Sequence, residues 1–482
     1  MSDFIRNIMK LVSGSMIAQI IGILLFPIIS RLYSPEDFGV FQLFLSIASI
    51  IAIISCLTYH LAIMLPKKNE DSANIVSLCF ILLVITSIAS GLIFIPLSDE
   101  ISGFLNTPDL ADYLLLLPIV VFLSGLFNVL NYWTSRRIRF GVVAESRIAN
   151  SLGSRVSQVG IGSYNPSPMG LITGYLTGFF LANILMLGYF KSDIQYFRKV
   201  SVHRMKELAI RYKRFPKFSM GSLFVNTFSF QLPPFMLAFY FTSAIVGHYS
   251  FANLILALPV TLIGGATSQV FFQKASEVKN ENGNFKELVT EVHRKLILIG
   301  AFPLIVFMIV GEDLFTFFLG AEWYSAGIYA KILAPWLFIR FMYSPISSIF
   351  DILEKQNIEL IFNILIICSI FITLFIGGSY NDPILGLMLL SIVGVILWSC
   401  ANFYLLRISG VQLTHEVRHF VKYLLIAILV SIPLVLVDYL SATIYVILFL
   451  SMVLSIAYYI VVIYLDHTLR SKLLGAINAA KK

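Results

Sequence analysis

Apolar windows of about twenty residues follow one another along this chain almost end to end, and no other feature limits its fold so tightly. A helix needs about 20 mostly apolar residues to cross a bilayer. Such windows lie at 11–30, 39–65, 73–97, 111–133, 143–162, 169–190, 217–240, 247–272, 295–318, 328–350, 358–377, 384–406, 420–438 and 442–465. The windows at 143–162, 328–350 and 420–438 are polar, proline-broken or short. Charged residues make up 12% of the chain, against about 25% in soluble domains, too few to keep 482 residues in water. The expected class is an all-α integral membrane protein with about fourteen transmembrane helices.

The chemistry of soluble enzymes is missing from the pattern. There is no glycine-rich phosphate loop, no His-Glu-x-x-His and no nucleophile elbow. The outer loops reach about 15 residues, short for a catalytic domain. We expect no enzyme, no catalytic residues, no metal, no cofactor and no nucleic-acid partner. Cys56, Cys79, Cys368 and Cys400 fall inside apolar windows and read as buried small hydrophobes. The first ten residues lead into an apolar run with no small-residue cleavage site behind it, so that run reads as the first membrane helix and not as a signal peptide.

Charge placement sets the expected topology. Basic residues favour cytoplasmic loops. With both termini in the cytoplasm, the cytoplasmic segments and helix ends hold all but four of the 34 basic residues. They include Lys67, Lys68, Arg136, Arg137, Arg139 and a run from Lys191 to Lys217. The opposite loops are acidic, at Asp99 and Glu100, Glu312 and Asp313, Asp382, and Asp438. Residues 351–359 break the rule, with Asp351, Glu354 and Glu359 against Lys355.

A sparse repeat divides the chain. Gly14-Ser15 matches Gly221-Ser222, Pro27 matches Pro234 and, with a gap of one, Gly39 matches Gly247. Six windows separate the copies, so the copies share one orientation about an axis along the membrane normal. The expected organisation is two six-helix lobes, 1–190 and 217–406, a basic cytoplasmic linker, 191–216, and a C-terminal helix pair with a basic tail, 407–482. Val202, Met205, Ala209 and Tyr212 recur at helical spacing among the linker's basic groups. That pattern suits a short helix on an anionic membrane surface.

The four remaining basic residues are Arg31, Arg155, Lys331 and Arg340. Arg155 and Arg340 fall near mid-membrane, where a charge costs at least ~2.5 kcal/mol. No acidic residue lies deep in any window to pair with them, since the acidic groups fall in loops or near window ends. The missing partner is then an anion carried by a substrate. Ser151, Ser154 and Gln158 recur beside Arg155 at spacings of three and four. They form a polar flank expected to line a cavity. Lys331 and Arg31 sit nearer the outer surface and are included as cavity candidates.

Between the first two windows the chain reads Ser30-Arg31-Leu32-Tyr33-Ser34-Pro35-Glu36-Asp37-Phe38-Gly39-Val40-Phe41. This segment resembles the signature of bacterial polysaccharide-precursor flippases, the O-antigen and capsule transporters of the multidrug/oligosaccharidyl-lipid/polysaccharide superfamily. Arg31, Leu32, the Pro35-Glu36-Asp37 turn, Phe38 and Gly39 carry the likeness. It implies two six-helix lobes and a cationic cavity, which fits Arg155 and Arg340. The implied activity is movement of an undecaprenyl-pyrophosphate-linked oligosaccharide from the cytoplasmic to the periplasmic leaflet of the bacterial inner membrane, by alternating access. Expected partners are that anionic glycolipid, membrane lipids, and a polymerase and other polysaccharide-assembly proteins. The alternatives are another lipid-linked envelope-precursor flippase and a multidrug cation antiporter. Drug exporters of this superfamily couple cations through acidic residues within their helices, which have no obvious counterpart here.

Overall fold

The computed structural model describes residues 3–281, 283–440 and 442–465. The basic tail expected after 465 and the first two residues lie outside the described residues. The fold is all-α and multi-pass. Its principal helices are α1 (Asp3–Leu32), α2 (Pro35–Ser55), α3 (Asn69–Phe94), α4 (Leu117–Arg136), α5 (Phe140–Tyr164), α6 (Pro168–Phe190) and α7 (Val202–Arg211). Next come α8 (Met220–Tyr240), α9 (Ser243–Leu256), α10 (Gly265–Glu281), α11 (Lys286–Leu319), α12 (Tyr324–Tyr343), α13 (Gln356–Ser379), α14 (Pro383–Ile408), α15 (Leu413–Tyr439) and α16 (Ile444–Leu465).

Each of the fourteen apolar windows falls on helix. Among the described residues, eleven helices are long and apolar enough to cross a membrane. The three windows outside that number have visible causes. Serines, Asn150, Arg155 and Gln158 make α5 polar, while Asn226, Gln231, Pro233 and Pro234 make α8, a continuous helix, less apolar. A π-helical stretch at Val260–Gly264, after Pro259, separates α9 from α10. Large apolar side chains stand on the outer surface, with Leu92 73% and Phe449 70% exposed. So broad an apolar coat belongs against lipid. Cys56 and Cys79 are buried as expected, but Cys368 and Cys400 are exposed on that coat. Side-chain apolarity gave no sign of which helix face looks inward.

Local sequence explains the helix ends. Ser34 opens α2 with a capping box, its Oγ accepting from the Asp37 N–H at 3.1 Å and Asp37 Oδ2 accepting from the Ser34 N–H at 3.0 Å. Pro35 occupies the first turn, where no N–H is needed. The Ser-Pro-Glu-Asp motif is therefore a helix start. The window expected as one helix to 65 stops at Ser55, because Leu57 and Thr58 take positive φ and a 3-10 turn follows at Tyr59–Met64. Arg136 caps the carbonyls this break releases, donating to Ile63 O at 3.2 Å, Met64 O at 3.1 Å and Pro66 O at 2.6 Å.

Its neighbours Arg137 and Arg139 donate to the fully buried carboxylate of Asp193, at 3.2 Å and at 3.0 and 3.1 Å. Trp133 Nε1 joins them at 3.0 Å. The basic loop is thus a clamp as well as a topology signal. The linker helix α7 docks on α3. Arg204 makes two bonds to Asp71, at 2.8 and 3.0 Å, and Tyr59 donates to Ala209 O at 3.0 Å. Met205 and Leu208 are the buried apolar residues of α7, while Val202, expected on that face, is exposed. The difference arises because α7 packs on protein through one narrow stripe.

Contacts divide the chain into two compact units. The first is Met1–Ser250 with Gly378–Pro383, and the second is Phe251–Gly377 with Ile384–Lys482. In the first unit Gly39 and Gly247 meet. A Cβ on Gly39 would stand 1.8 Å from Ser243 O, and one on Gly247 1.9 Å from Pro35 O. Only glycine permits α2 and α9 to approach so closely. In the second unit α15 is held to α11 by Glu416, a nearly buried carboxylate. It accepts from Arg294 at 2.9 and 2.7 Å and lies 3.2 Å from His293 Nδ1. Glu416 is near a helix end, as the sequence implied, yet it is buried, which charge spacing along the chain does not reveal.

Candidate functional site

The first unit builds its site on α5. This helix exposes Leu152 and Val156 on one side, and its polar residues lie toward two helices that offer small residues. On one side α1 presents Gly14, Ala18 and Gly22 at four-residue spacing. A Cβ on Gly14 would stand 2.3 Å from the Ala144 Cβ. On the other side α6 presents Gly170, Gly174 and Gly178. Cβ atoms there would meet Tyr33 Oη at 2.4 Å, Gln158 Cγ at 2.4 Å and Ser154 Oγ at 1.9 Å. Small residues at this spacing let helix backbones close up, so Ser151 and Gln158 of α5 find partners on its two neighbours.

The expected polar flank is split by this packing. Ser151 turns to α1 and donates to Ala18 O at 2.6 Å. Ser154 and Gln158 turn to α6 and are buried. They line the α5–α6 seam and not an open cavity, because the glycines of α6 draw it against them. Gln158 Nε2 donates to Leu171 O at 3.0 Å, and the Gln158 backbone carbonyl accepts from the Tyr33 hydroxyl at 2.7 Å. Burial, with Asp37 adding to it, pushes the Tyr33 phenol up to about 12, so the hydroxyl stays a donor.

Gln158 also fixes Arg155. Its Oε1 accepts from Arg155 Nη1 at 2.8 Å, and the guanidinium lies over the Phe26 ring, 4.6 Å from the centroid. Arg155 is half-buried and has no acidic partner among the described residues. A guanidinium carries five N–H donors, and Gln158 occupies part of that capacity. The result is a pre-oriented cation between α1 and α5, held by a neutral amide and a ring face. Such a group recognises a phosphate or carboxylate without first breaking an ion pair.

The same face of α5 carries Arg147, which the sequence grouped with the cytoplasmic helix-end charges. It is half-buried and donates through Nη1 to Ser15 Oγ of α1. Arg147, Ser151 and Arg155 are spaced at four and eight residues, a signal legible in the sequence once α5 is known to lie on α1.

The other candidates stand apart. In the second unit Lys331 pairs with Glu312 at 2.8 Å. The sequence left Lys331 without an acid because Glu312 was expected in an outer loop; Glu312 lies within α11 instead, and packing of α11 against α12 brings the two together. Arg340 is half-buried, with its guanidinium carbon 5.8 Å from the centroid of the Trp398 ring. Arg31, at the end of α1 in the first unit, is exposed. His60 packs on the Tyr132 ring at 5.3 Å. Gln42 and Ser46 of α2 meet Gln231 of α8, with Ser46 Oγ donating to Gln231 Oε1 at 2.8 Å.

Sequence and structure comparisons each find similar proteins. The profile of a family described as polysaccharide biosynthesis protein matches residues 28–327. The chain is 23% identical over 449 residues to the lipopolysaccharide biosynthesis protein WzxC of Escherichia coli strain K12, covering 89% of this chain and 87% of that protein. It is 23% identical over 260 residues to the succinoglycan biosynthesis transport protein ExoT of Rhizobium meliloti strain 1021, covering 53% of this chain and 50% of that one. In structure it is similar to the lipid II flippase MurJ in an inward closed conformation, with TM-score 0.75, 14% identity, and coverage of 94% of this chain and 98% of that one. An inward-facing multidrug transporter of the MATE family aligns with TM-score 0.56, 14% identity, and coverage of 81% and 98%.

Proposed function

The chain belongs to the polysaccharide biosynthesis protein family, within the flippase superfamily of the multidrug and polysaccharide transporters, and from that premise we propose that it moves a lipid-linked oligosaccharide across the bacterial inner membrane by alternating access. The cargo is an undecaprenyl-pyrophosphate-linked repeat unit of O-antigen or capsule, carried from the cytoplasmic to the periplasmic leaflet. The chain is a transporter and not an enzyme. Fourteen crossings, two six-helix lobes and cytoplasmic termini belong to this reading.

One observation carries it. Arg155 is a half-buried cation within a membrane helix, oriented by Gln158 and Phe26, with no acidic partner among the described residues. The pyrophosphate headgroup supplies the anion that this guanidinium lacks. Arg340, in the second lobe of this reading, is the other expected substrate-binding cation. Lys331 already meets Glu312, so it contributes less. An inside-negative potential adds ~2.3 kcal/mol per charge per 100 mV to outward movement of an anion.

The test is deletion in the native host, with complementation by wild type or by an Arg155→Ala, Arg340→Ala double variant. The expected result is lipid-linked repeat units accumulating on the cytoplasmic side in the deletion and in the double variant. Near-normal export by the double variant, normalised to inserted protein, would remove the anion site. Accumulation of a cell-wall precursor in place of a surface-polysaccharide unit would move the assignment to another envelope flippase.

A further inference from the structure

We infer that Arg147 is a second anion station, set about two helical turns from Arg155 along the α1–α5 seam, so that the pyrophosphate is taken up at one arginine and passed to the other. This rests on the pyrophosphate reading above and names a residue and a route within it.

The first support is how several basic side chains outside α5 are held, most of them by carboxylates and Arg136 by backbone carbonyls. Arg137 and Arg139 share Asp193, Arg204 holds Asp71, Arg294 holds Glu416 and Lys331 holds Glu312. Arg147 and Arg155 are half-buried and meet no acid among the described residues. Both instead have a neutral hydrogen-bond partner, Ser15 Oγ for Arg147 and Gln158 Oε1 for Arg155. A half-buried guanidinium held by neutral groups has no carboxylate to neutralise its charge, and its remaining donors are left for another acceptor.

The second support is geometry. Arg147 and Arg155 are eight residues apart on one helix, roughly 12 Å at 1.5 Å per residue. Ser151 lies midway and is turned to the same neighbour, bonded to Ala18 O. Gly14, Ala18 and Gly22 bring α1 alongside all three. Arg147 lies seven residues into α5, roughly 10 Å, and Arg155 fifteen residues in, roughly 22 Å. One arginine thus stands near the start of the helix and one past its middle. A headgroup moving along α5 from its amino end meets Arg147 first, and exchanges one guanidinium for the next without passing through an uncharged stretch longer than about two turns.

The experiment measures equilibrium binding of farnesyl pyrophosphate to the purified full chain in neutral detergent, with farnesol as the uncharged control and inorganic pyrophosphate as a competitor. Arg147→Gln keeps a donor for Ser15 and removes the charge. Ser15→Glu leaves the arginine in place and gives it a carboxylate, which keeps the test open should Arg147→Gln fold poorly. Each is expected to weaken farnesyl pyrophosphate about tenfold, as loss of one charge-assisted contact does, and to leave farnesol unchanged. Arg147→Lys is expected to recover part of the affinity. Combining Arg147→Gln with Arg155→Gln is expected to bring the pyrophosphate to the level of farnesol. Wild-type affinity in Arg147→Gln and Ser15→Glu, with Arg155→Gln weakened, would overturn the second station and leave the pyrophosphate reading intact. Equal binding of farnesyl pyrophosphate and farnesol by the wild type would overturn that reading and the station with it.

Discussion

Gly39 of α2 and Gly247 of α9 pack back to back, with the Gly39 nitrogen 3.1 Å from the position a Gly247 Cβ would take. Both contacts are to main-chain atoms of the facing helix. Alanine at either position meets carbonyl oxygen and backbone, which have no rotamer by which to withdraw. Overpacking of this kind costs about 1–3 kcal/mol. Gly39→Ala and Gly247→Ala should each lower the thermal unfolding midpoint of the purified protein. An unchanged midpoint in both would mean the crossing opens without strain.

The Arg155 site can be neutralised without touching Arg155. A Cβ on Gly22 meets only Arg155 Nε, at 4.0 Å, so Gly22→Asp delivers a carboxylate to the guanidinium with little steric demand. Export of the lipid-linked unit, normalised to inserted protein, should fall at least tenfold, the scale of one lost charge-assisted contact. Gly22→Ala is the neutral control and should transport nearly normally. Equal export by the two variants would show that the charge of Arg155 is not used.

Glu416 predicts a stability effect independent of transport. Its carboxylate joins Arg294 and His293 in a buried setting. Removing one member of such a group leaves the others uncompensated, at a cost of about 3–5 kcal/mol. Glu416→Leu should destabilise strongly, and combining it with Arg294→Leu should recover part of the loss. Calorimetry or nano-scale fluorimetry in detergent reads both, and a double variant no better than Glu416→Leu would argue against the pair.

The linker should release from α3 when its main bond is cut. Asp71→Asn or Arg204→Gln removes the two-bond contact and should expose 198–217 to limited trypsin digestion, with the wild type resistant there. Neutralising Lys206, Arg211, Lys213 and Arg214 should instead lower the amount of inserted protein and leave specific activity largely intact. A transport defect at normal insertion would place the linker in the mechanism.

Topology is open to cysteine labelling after Cys56, Cys79, Cys368 and Cys400 are replaced. Phe104 lies outside the spanning helices and is exposed, so Phe104→Cys should react with an impermeant reagent in intact cells whose outer membrane has been permeabilised. Reaction only after lysis would invert the map. A single failure within 351–359, the segment whose charges disagree, would confine the error to its two flanking helices.

The amino-acid sequence by itself determined the solvent of this protein and most of its elements. The apolar windows fall on helices, eleven of them long and apolar enough to cross a membrane among the described residues, as lipid offers backbone groups no other partner, and Ser34-Pro35-Glu36-Asp37 fixed a helix start through contacts spanning four residues. The sequence also singled out Arg155, since a charge in the middle of an apolar window is costly wherever the chain goes. Partnership was decided by tertiary structure alone. Lys331 gained Glu312, and Glu416 became buried against residues more than a hundred positions away. Ser154 and Gln158 passed from an expected cavity wall into the seam with α6, because Gly174 and Gly178 allow that helix to press against them. Arg147 joined Arg155 on one seam because Gly14, Ala18 and Gly22 draw α1 onto the same face of α5. Helical spacing states which residues share a face, but which neighbour that face meets depends on how closely two backbones approach, and here small residues far away in the chain set that distance.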